Sequence, residues 1–461
     1  MTITQRSGTR RRAALVAATV AVLAVSACGS SGGDNAGSTP AGGAATAGAA
    51  TGGAATGSAG AAAPVGPTGE IKIWYSNNEQ EVAWGKQVVA AWNAAHADQK
   101  VTGEEIPAGK SSEETIGAAI TAGTTPCLIF NTSPAAVPQF QDAGGLVDLS
   151  SFPDGASYIE TRTGADVAKQ YQSADGHYYQ LPWKSNPVMI FYNKDIFTKA
   201  GIDTDKPPLA TYDEFLATAK KVVDSKAAQY AIYPSPSADF YQPWFDFYPM
   251  FAAETGGKQL IVDGKSQFTS AEGMNVINFW RQIYADKLAG TEVYQGDSFA
   301  DGKAAMSTVG PWAIASYKGK VNWGVVPVPT SKGMPADQIH TFSDAKNVGL
   351  YTSCKNTGTA WDFLKFATSE EQDGKLLELT GQMPLRTDLP TTYADYFKKN
   401  PEYAEFASQA ARTVEVPNVP NSVEIWQDFR KAWSTAVIFG KADPQSTFAD
   451  AATQIDKLAA G

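Results

Sequence analysis

From Glu70 onward the chain alternates short apolar runs with longer stretches of helical periodicity. Glu70-Ile71-Lys72-Ile73-Trp74-Tyr75 switches between polar and apolar positions and predicts a strand. The polar run Ser76-Asn77-Asn78-Glu79 follows as a turn, and Val82, Val88, Val89 and Trp92 then recur on one helical face. The same reading predicts a helix over 113–122, a buried strand over 127–130, a break at Asn131-Thr132-Ser133-Pro134, and a helix over 137–143. Further along it predicts a strand over 188–192, a helix over 212–223 begun by Thr211, a long helix over 271–286 and a strand over 321–326. A strand over 348–351 feeds a helix over 359–367, and the chain from Ser422 is amphipathic and helical. This alternation predicts an α/β fold, a mostly parallel sheet covered by helices, whose ligands gather beyond the carboxyl ends of the strands.

Before Glu70 the pattern is different. Arg6, Arg10, Arg11 and Arg12 precede an apolar run over 13–25 that is shorter than the roughly 20 residues a membrane-spanning helix requires. That plan is a signal peptide over 1–27. Val25-Ser26-Ala27-Cys28 resembles the lipobox of bacterial lipoproteins, in which the cysteine thiol is acylated and becomes the new N-terminus. The bland alternative is an ordinary secretory peptide with a chance cysteine, and the paired arginines leave the twin-arginine route open beside the general one. Between 29 and 69 every residue except Asp34, Asn35 and Val65 is Gly, Ala, Ser, Thr or Pro. Such a segment buries too little to offset its ordering entropy, so 28–69 is expected to be a flexible tether spanning about 35 Å.

The length of 461 residues calls for two lobes rather than one core. Losing the four leader arginines takes the net charge from −10 to −14. A body that acidic argues against nucleic acid or anionic lipid as partner. His96, His177 and His340 stand far apart, and no phosphate loop, nucleophile elbow or HExxH pair occurs. No metal, cofactor or catalytic residue is therefore expected. With Cys28 assigned, Cys127 and Cys354 remain, and their spacing alone leaves pairing open.

From Ile71 to the C-terminus the residues resemble the extracellular solute-binding proteins of sugar ABC importers, the group that includes maltose-binding protein. The opening strand, Gln139-Phe140 with Gly144-Gly145-Leu146-Val147-Asp148-Leu149, and Leu181-Pro182 through Phe191-Tyr192-Asn193-Lys194-Asp195 carry the likeness. So do Phe299-Ala300-Asp301-Gly302-Lys303-Ala304-Ala305-Met306, Gly310-Pro311-Trp312, the helix starting near Trp361, Gly381-Gln382-Met383-Pro384, and Pro417-Asn418-Val419-Pro420 with Trp426. Cys127 stands where the family usually has an acid, a departure that favours a disulfide with Cys354. The resemblance implies two α/β lobes, 70–186 with 339–388 and 187–338 with 389–461, joined by a hinge and enclosing a ligand cleft. It also implies a monomeric, non-enzymatic, lipid-anchored extracytoplasmic protein that captures a mono- or oligosaccharide and delivers it to the membrane permease subunits of an ABC importer.

Sugar recognition needs aromatic faces against ring C–H surfaces and polar groups for the hydroxyls. The expected platforms are Trp312 and Trp426, with Trp183, Tyr241, Trp244 and Phe245 divided between cleft and core. Asn77, Asn78 and Glu79 are expected to grip hydroxyls from the first loop, where an asparagine helix cap is the competing reading. Thr132 and Ser133 occupy the second loop, and Lys184, Ser185, Asn186 and Gln242 are further polar candidates. Asp344, Lys346 and Asn347 stand where the family often has glycines, as ligand contacts or as a solvated loop. A glycerophosphodiester or other polar solute is the alternative ligand, although no arginine occurs in these loops. A secreted glycoside hydrolase, which would need a carboxylate pair such as Glu79 with Asp344, and a structural surface lipoprotein are the readings from other classes.

Overall fold

The computed structural model describes residues 66–109 and 111–461. The expected signal peptide, Cys28 and most of the expected tether lie outside the described residues. The last part of that tether is not free: Gly358 N donates to Pro67 O at 2.9 Å and Gly69 N to Thr359 Oγ1 at 2.9 Å.

The first lobe is built on a six-stranded sheet. Its order is Met383–Pro384, Leu181–Ser185, Lys346–Leu350, Leu128–Thr132, Ile71–Tyr75 and Val101–Glu105. Ile71–Tyr75 alternates buried and exposed positions, as its sequence pattern requires. Asn131 takes a left-handed φ of 70°, and opposite it the pairing with Lys346–Leu350 shifts register between Asn347 and Gly349. The extra residue bends the strand end toward the loop Thr132-Ser133. Trp84, Phe130 and Trp183 pack together beneath this sheet, with ring centroids 4.8–5.2 Å apart. Full burial of a ring such as Phe130 contributes about 1.5–3 kcal/mol. Cys127 and Cys354 form a disulfide that ties the foot of Leu128–Thr132 to the chain leaving Lys346–Leu350.

The second lobe has a four-stranded sheet ordered Trp323–Val326, Met189–Asn193, Ala304–Val309 and Tyr230–Ile232. Met189–Asn193 is buried on both faces. Ile190 and Tyr192 enter a large core with the helices Tyr212–Asp224, Phe247–Glu254, Ala271–Ala285 and Ser422–Trp433. Met189 and Phe191 face a different core with Tyr317 and Phe406, which also takes in Leu377 and Met383 of the first lobe. Thr211 caps its helix through a capping box with Glu214, the start its sequence predicted.

Two expectations change. The sheets are mixed rather than mostly parallel: only Ile71–Tyr75 with its two neighbours and Tyr230–Ile232 with Ala304–Val309 pair in parallel within them. The remaining pairs run antiparallel because Met189–Asn193 and Lys346–Leu350 each arrive from the other lobe, opposite to strands laid down within their own, and Met383–Pro384 keeps the direction of Lys346–Leu350. The expected return to the first lobe at residue 339 also falls early, because Ile339 and Phe342 belong to the core of the second lobe.

Candidate functional site

Three chain segments join the lobes side by side. Asn186 N donates to Ser343 O at 2.6 Å, Val188 N to Phe342 O at 3.0 Å, and Ser343 N to Val414 O at 2.9 Å. Thr341–Phe342 also pairs with Thr413–Val414 as a short parallel ladder. This ribbon forms the back of the cleft, and each of its segments carries buried charge into the floor.

The floor begins with the ion pair of Lys184 and Glu81, 2.8 Å apart. Glu81 Oε1 also accepts from Gln382 Nε2 at 2.9 Å, and Gln382 Oε1 accepts from Asn186 Nδ2 at 3.3 Å. Burial lowers the Lys184 pKa, and Glu81 offsets this only in part. Beside them Asp344, at a left-handed φ of 40°, pairs with Lys346 at 2.9 Å. Burial raises the Asp344 pKa against the pull of Lys346. Burial pulls Lys346 down, but Asp344, Glu113 and Glu415 together outweigh it, and its pKa ends above the ordinary value. Glu415, on the third segment, accepts from Val416 N at 2.8 Å and Ala345 N at 2.9 Å. Its burial outweighs both donors and pushes its pKa up to about 8. Glu81, Gln382 and Glu415 were not among the sequence candidates. Flanked by Val414 and Val416, Glu415 reads as the polar face of an alternating strand, so no local signal marked it as buried.

A groove of about 880 Å³ opens between the lobes. One wall is the helix Ser112–Ala122, carrying Glu113 and Glu114, with Gln139 and Phe140 from the next helix, Val137–Asp142. Ser111 caps the first of these by accepting from Glu114 N at 3.1 Å, and Gly123 ends it at φ 65°. The other wall is the loop holding Asp239, Phe240 and Tyr241 and the polar face of Ser422–Trp433. That helix buries Ile425, Trp426, Phe429 and Trp433, which turns Glu424, Gln427, Asp428 and Lys431 toward the groove. Of the sequence candidates only Tyr241 lines it; it is 37% exposed and stands edge-on to Phe240 at 5.3 Å.

The other candidates divide by burial. Asn77, Asn78 and Glu79 are exposed, and Asn78 Oδ1 accepts from Gln80 N and Glu81 N, so the capping role holds there. Thr132 and Ser133 are buried, and the Ser133 hydroxyl has no partner among the described residues. Ser185 pairs with Ser343 at 2.7 Å, and Asn347, wholly buried, bonds to Gln180 inside the sheet. Trp426, expected as a platform, is a core residue instead, and Trp183 and Trp244, divided between cleft and core, both fall in the core. Trp183 lies under the first sheet with Lys184 Nζ 4.6 Å from its ring, while Trp244 and Trp426 pack on each other at 5.7 Å among Tyr248 and Phe342. The large apolar area each buries outweighs a cleft position. Gln242 is drawn inward by a 2.6 Å bond to Asp246, and Asp344 and Lys346 spend their charge on each other. Trp312 stays half-buried, its ring over Gly310 and edge-on to Phe245 at 6.0 Å.

Two lobes, a ribbon hinge and a polar cleft define a solute-binding protein of the periplasmic-binding type, two-lobed and α/β. The sequence profile described as bacterial extracellular solute-binding protein matches residues 87–405, and the chain belongs to that family. Its place is extracytoplasmic accordingly; among the described residues no helix is long and apolar enough to cross a membrane. The chain is similar to the diacetylchitobiose binding protein of Streptomyces coelicolor, 27% identical over 351 residues, 71% of this chain and 75% of that one. It is likewise similar to the galactooligosaccharide-binding protein of Bacillus subtilis, 26% identical over 395 residues, 83% and 88% of the two chains. In fold it is similar to the cyclic alpha-maltosyl-1,6-maltose binding protein of Arthrobacter globiformis, with a TM-score of 0.73 at 21% identity, over 86% of this chain and all of that one.

Proposed function

We propose that this protein captures a mono- or oligosaccharide between its lobes and delivers it to the membrane subunits of an ABC importer, without transforming it. The observation that carries the reading is the groove walled by both lobes and backed by three hydrogen-bonded crossing segments. A ligand held there contacts both lobes at once, so binding favours the closed form, the state an importer recognises. The sugar-binding names of the relatives support the choice of solute. Trp312 and Tyr241 are the aromatic faces offered to sugar rings, and Cys28, in its lipobox, is the point of attachment to the membrane. The protein works as a monomer in two lobes, the first regaining the chain at Lys346.

Thermal unfolding of the chain from Gly66 onward, against a panel of saccharides and glycerophosphodiesters, tests this. A ligand at a hundred times its dissociation constant adds roughly 2.7 kcal/mol of stability. A rise with a saccharide recovered unchanged from the mixture is the expected result. A rise with a phosphodiester alone, or cleavage of the saccharide, overturns the reading.

A further inference from the structure

The proposed function leaves open how long a saccharide the cleft takes, and a second cavity speaks to that. Besides the groove, a cavity of about 630 Å³ is walled by both lobes. The first lobe lends Gln80, from the start of the helix Glu79–Ala95, and Leu379 and Gly381, from the end of the helix Glu370–Thr380. The second lends Lys399 with Tyr396 and Tyr403, which pack with Phe191 and Tyr317 of that lobe. This lining mixes the groups a sugar needs. Leu379 is 41% exposed, and the half-buried ring of Tyr396 lies 5.8 Å from that of Tyr403, so apolar faces stand ready for ring C–H surfaces. Gln80 and Lys399 bring donors, and Gln80 an acceptor, for the hydroxyls.

The floor joins this cavity to the groove. Gln80 and Gly381 adjoin Glu81 and Gln382, which bond to each other, and Glu81 pairs with Lys184. Lys346, the next buried cation, acts on Lys184 and also faces Glu113 and Tyr241 of the groove. These floor groups lie at one end of the six-stranded sheet, beyond the carboxyl ends of Ile71–Tyr75 and Leu181–Ser185 and at the starts of Lys346–Leu350 and Met383–Pro384. Met383–Pro384, next to the cavity, and Val101–Glu105, which feeds the groove-lining helix, are the two edges of that sheet, five strand spacings or about 24 Å apart. The facing lobe follows the same line. Tyr241 lines the groove, Phe245 meets Trp312 at 6.0 Å, and Ala315, three residues beyond Trp312, lines the second cavity. A single sugar ring occupies one end of this line and leaves the other to water, whereas a chain of rings reaches both.

We infer that the ligand is a linear oligosaccharide of several rings, laid along the floor from the groove past Trp312 into the second cavity, where Tyr396, Gln80 and Lys399 hold its far end. The inference rests on the saccharide reading above and narrows it. In this arrangement each added ring engages both lobes again, so short sugars close the cleft less well than long ones.

The test is titration calorimetry of the chain from Gly66 onward with linear malto-, cello-, chito- and galacto-oligosaccharides, each from one to six rings. In a series that binds, affinity is expected to rise at least about tenfold from the dimer to the longest member, the gain of one or two further stacked rings. Lys399→Ala and Gln80→Ala, which leave the apolar cores untouched, should each lower the ratio of longest-member to dimer affinity about three- to fivefold, and Tyr396→Ala should lower it further. A monomer or dimer that binds as tightly as the longest member of its series, or a ratio unmoved by all three variants, overturns the inference and leaves the saccharide reading in place. If no member of any series binds, both fall.

Discussion

The floor of the cleft and the groove between its walls are both crowded with charge, yet they treat it in opposite ways. At the floor each buried ionisable group meets an opposite charge or backbone donors: Glu81 meets Lys184, Asp344 meets Lys346, and Glu415 meets two backbone N–H groups. In the groove four carboxylates share the space, and among the described residues none of them forms an ion pair. Lys346 feels both Glu113 of the groove wall and Glu415 of the floor, which places it at the junction of the two regions. The physical difference is desolvation. A charge on the dry floor must be matched within the fold, because an unmatched one costs several kcal/mol, whereas water can carry the groove charges until a ligand replaces it. The floor therefore governs stability, and the groove, as the proposed site, is where binding would be governed.

Breaking the floor should produce the largest effect. Lys184→Met fills the same volume and stays under the sheet beside Trp183, but it leaves Glu81 buried with only Gln382 as a donor. Loss of one partner of a buried pair costs about 3–5 kcal/mol, read from the midpoint of urea unfolding with the disulfide intact. Adding Glu81→Gln should return part of that loss, since the stranded charge goes with it. A Lys184→Met protein as stable as the parent would end the distinction between floor and groove.

A smaller effect sharpens the comparison through pH. Glu415 has an ordinary value of 4.5 and is pushed up to about 8 in the fold, chiefly by burial. Asp246 moves the same way, from 3.8 to about 7, although Phe247 N, Gln242 and Trp433 donate to it. The folded state then holds protons that the unfolded chain has released. Their contribution is complete below the ordinary values of 4.5 and 3.8 and is lost as pH rises through the folded values, at up to about 1.4 kcal/mol per pH unit for each proton. Unfolding temperature should therefore fall between pH 5 and 8. Glu415→Gln should flatten the last part of that slope most, between 7 and 8, where Asp246 is losing the rest of its proton. The slope carries the information here, because glutamine has only one oxygen to offer the donors Val416 N and Ala345 N and lowers stability at every pH. An unchanged slope in the variant would remove Glu415 as its source.

Much of this contrast was hidden in the sequence, for reasons that differ by region. The elements themselves were legible where period and caps agreed: Thr211 and Glu214 mark a helix start, and the alternation over Ile71–Tyr75 marks a half-buried strand. Strand direction was not, because a strand reads the same whether it arrives through a crossover helix or from the other lobe. Tryptophans were overread as sugar platforms, since a motif gives the type of residue and not the face it turns. Trp426 sits on a helix whose Ile425, Phe429 and Trp433 already claim the core side. The floor was half legible: Lys184 and Asn186 precede the crossing strand in sequence, but Glu81 and Gln382 meet them from positions hundreds of residues apart. The groove was least legible, because Glu113 and Glu424 each look like ordinary acids in the first turn of a helix, and only folding sets them face to face.

That double role gives the smallest effect and the finest test. Glu424 lies in the first turn of Ser422–Trp433, where a negative charge is favoured by the helix dipole by about 0.3–1 kcal/mol. The same charge repels its neighbours across the groove, at a similar cost in the empty protein. Glu424→Gln removes both terms, so its effect on unfolding without ligand should stay within about 0.5 kcal/mol. Low salt should bring out the relief of repulsion and make the variant slightly the more stable, while high salt screens both terms and draws variant and parent together. A loss above about 1 kcal/mol would mean that Glu424 is matched within the fold in the manner of the floor charges.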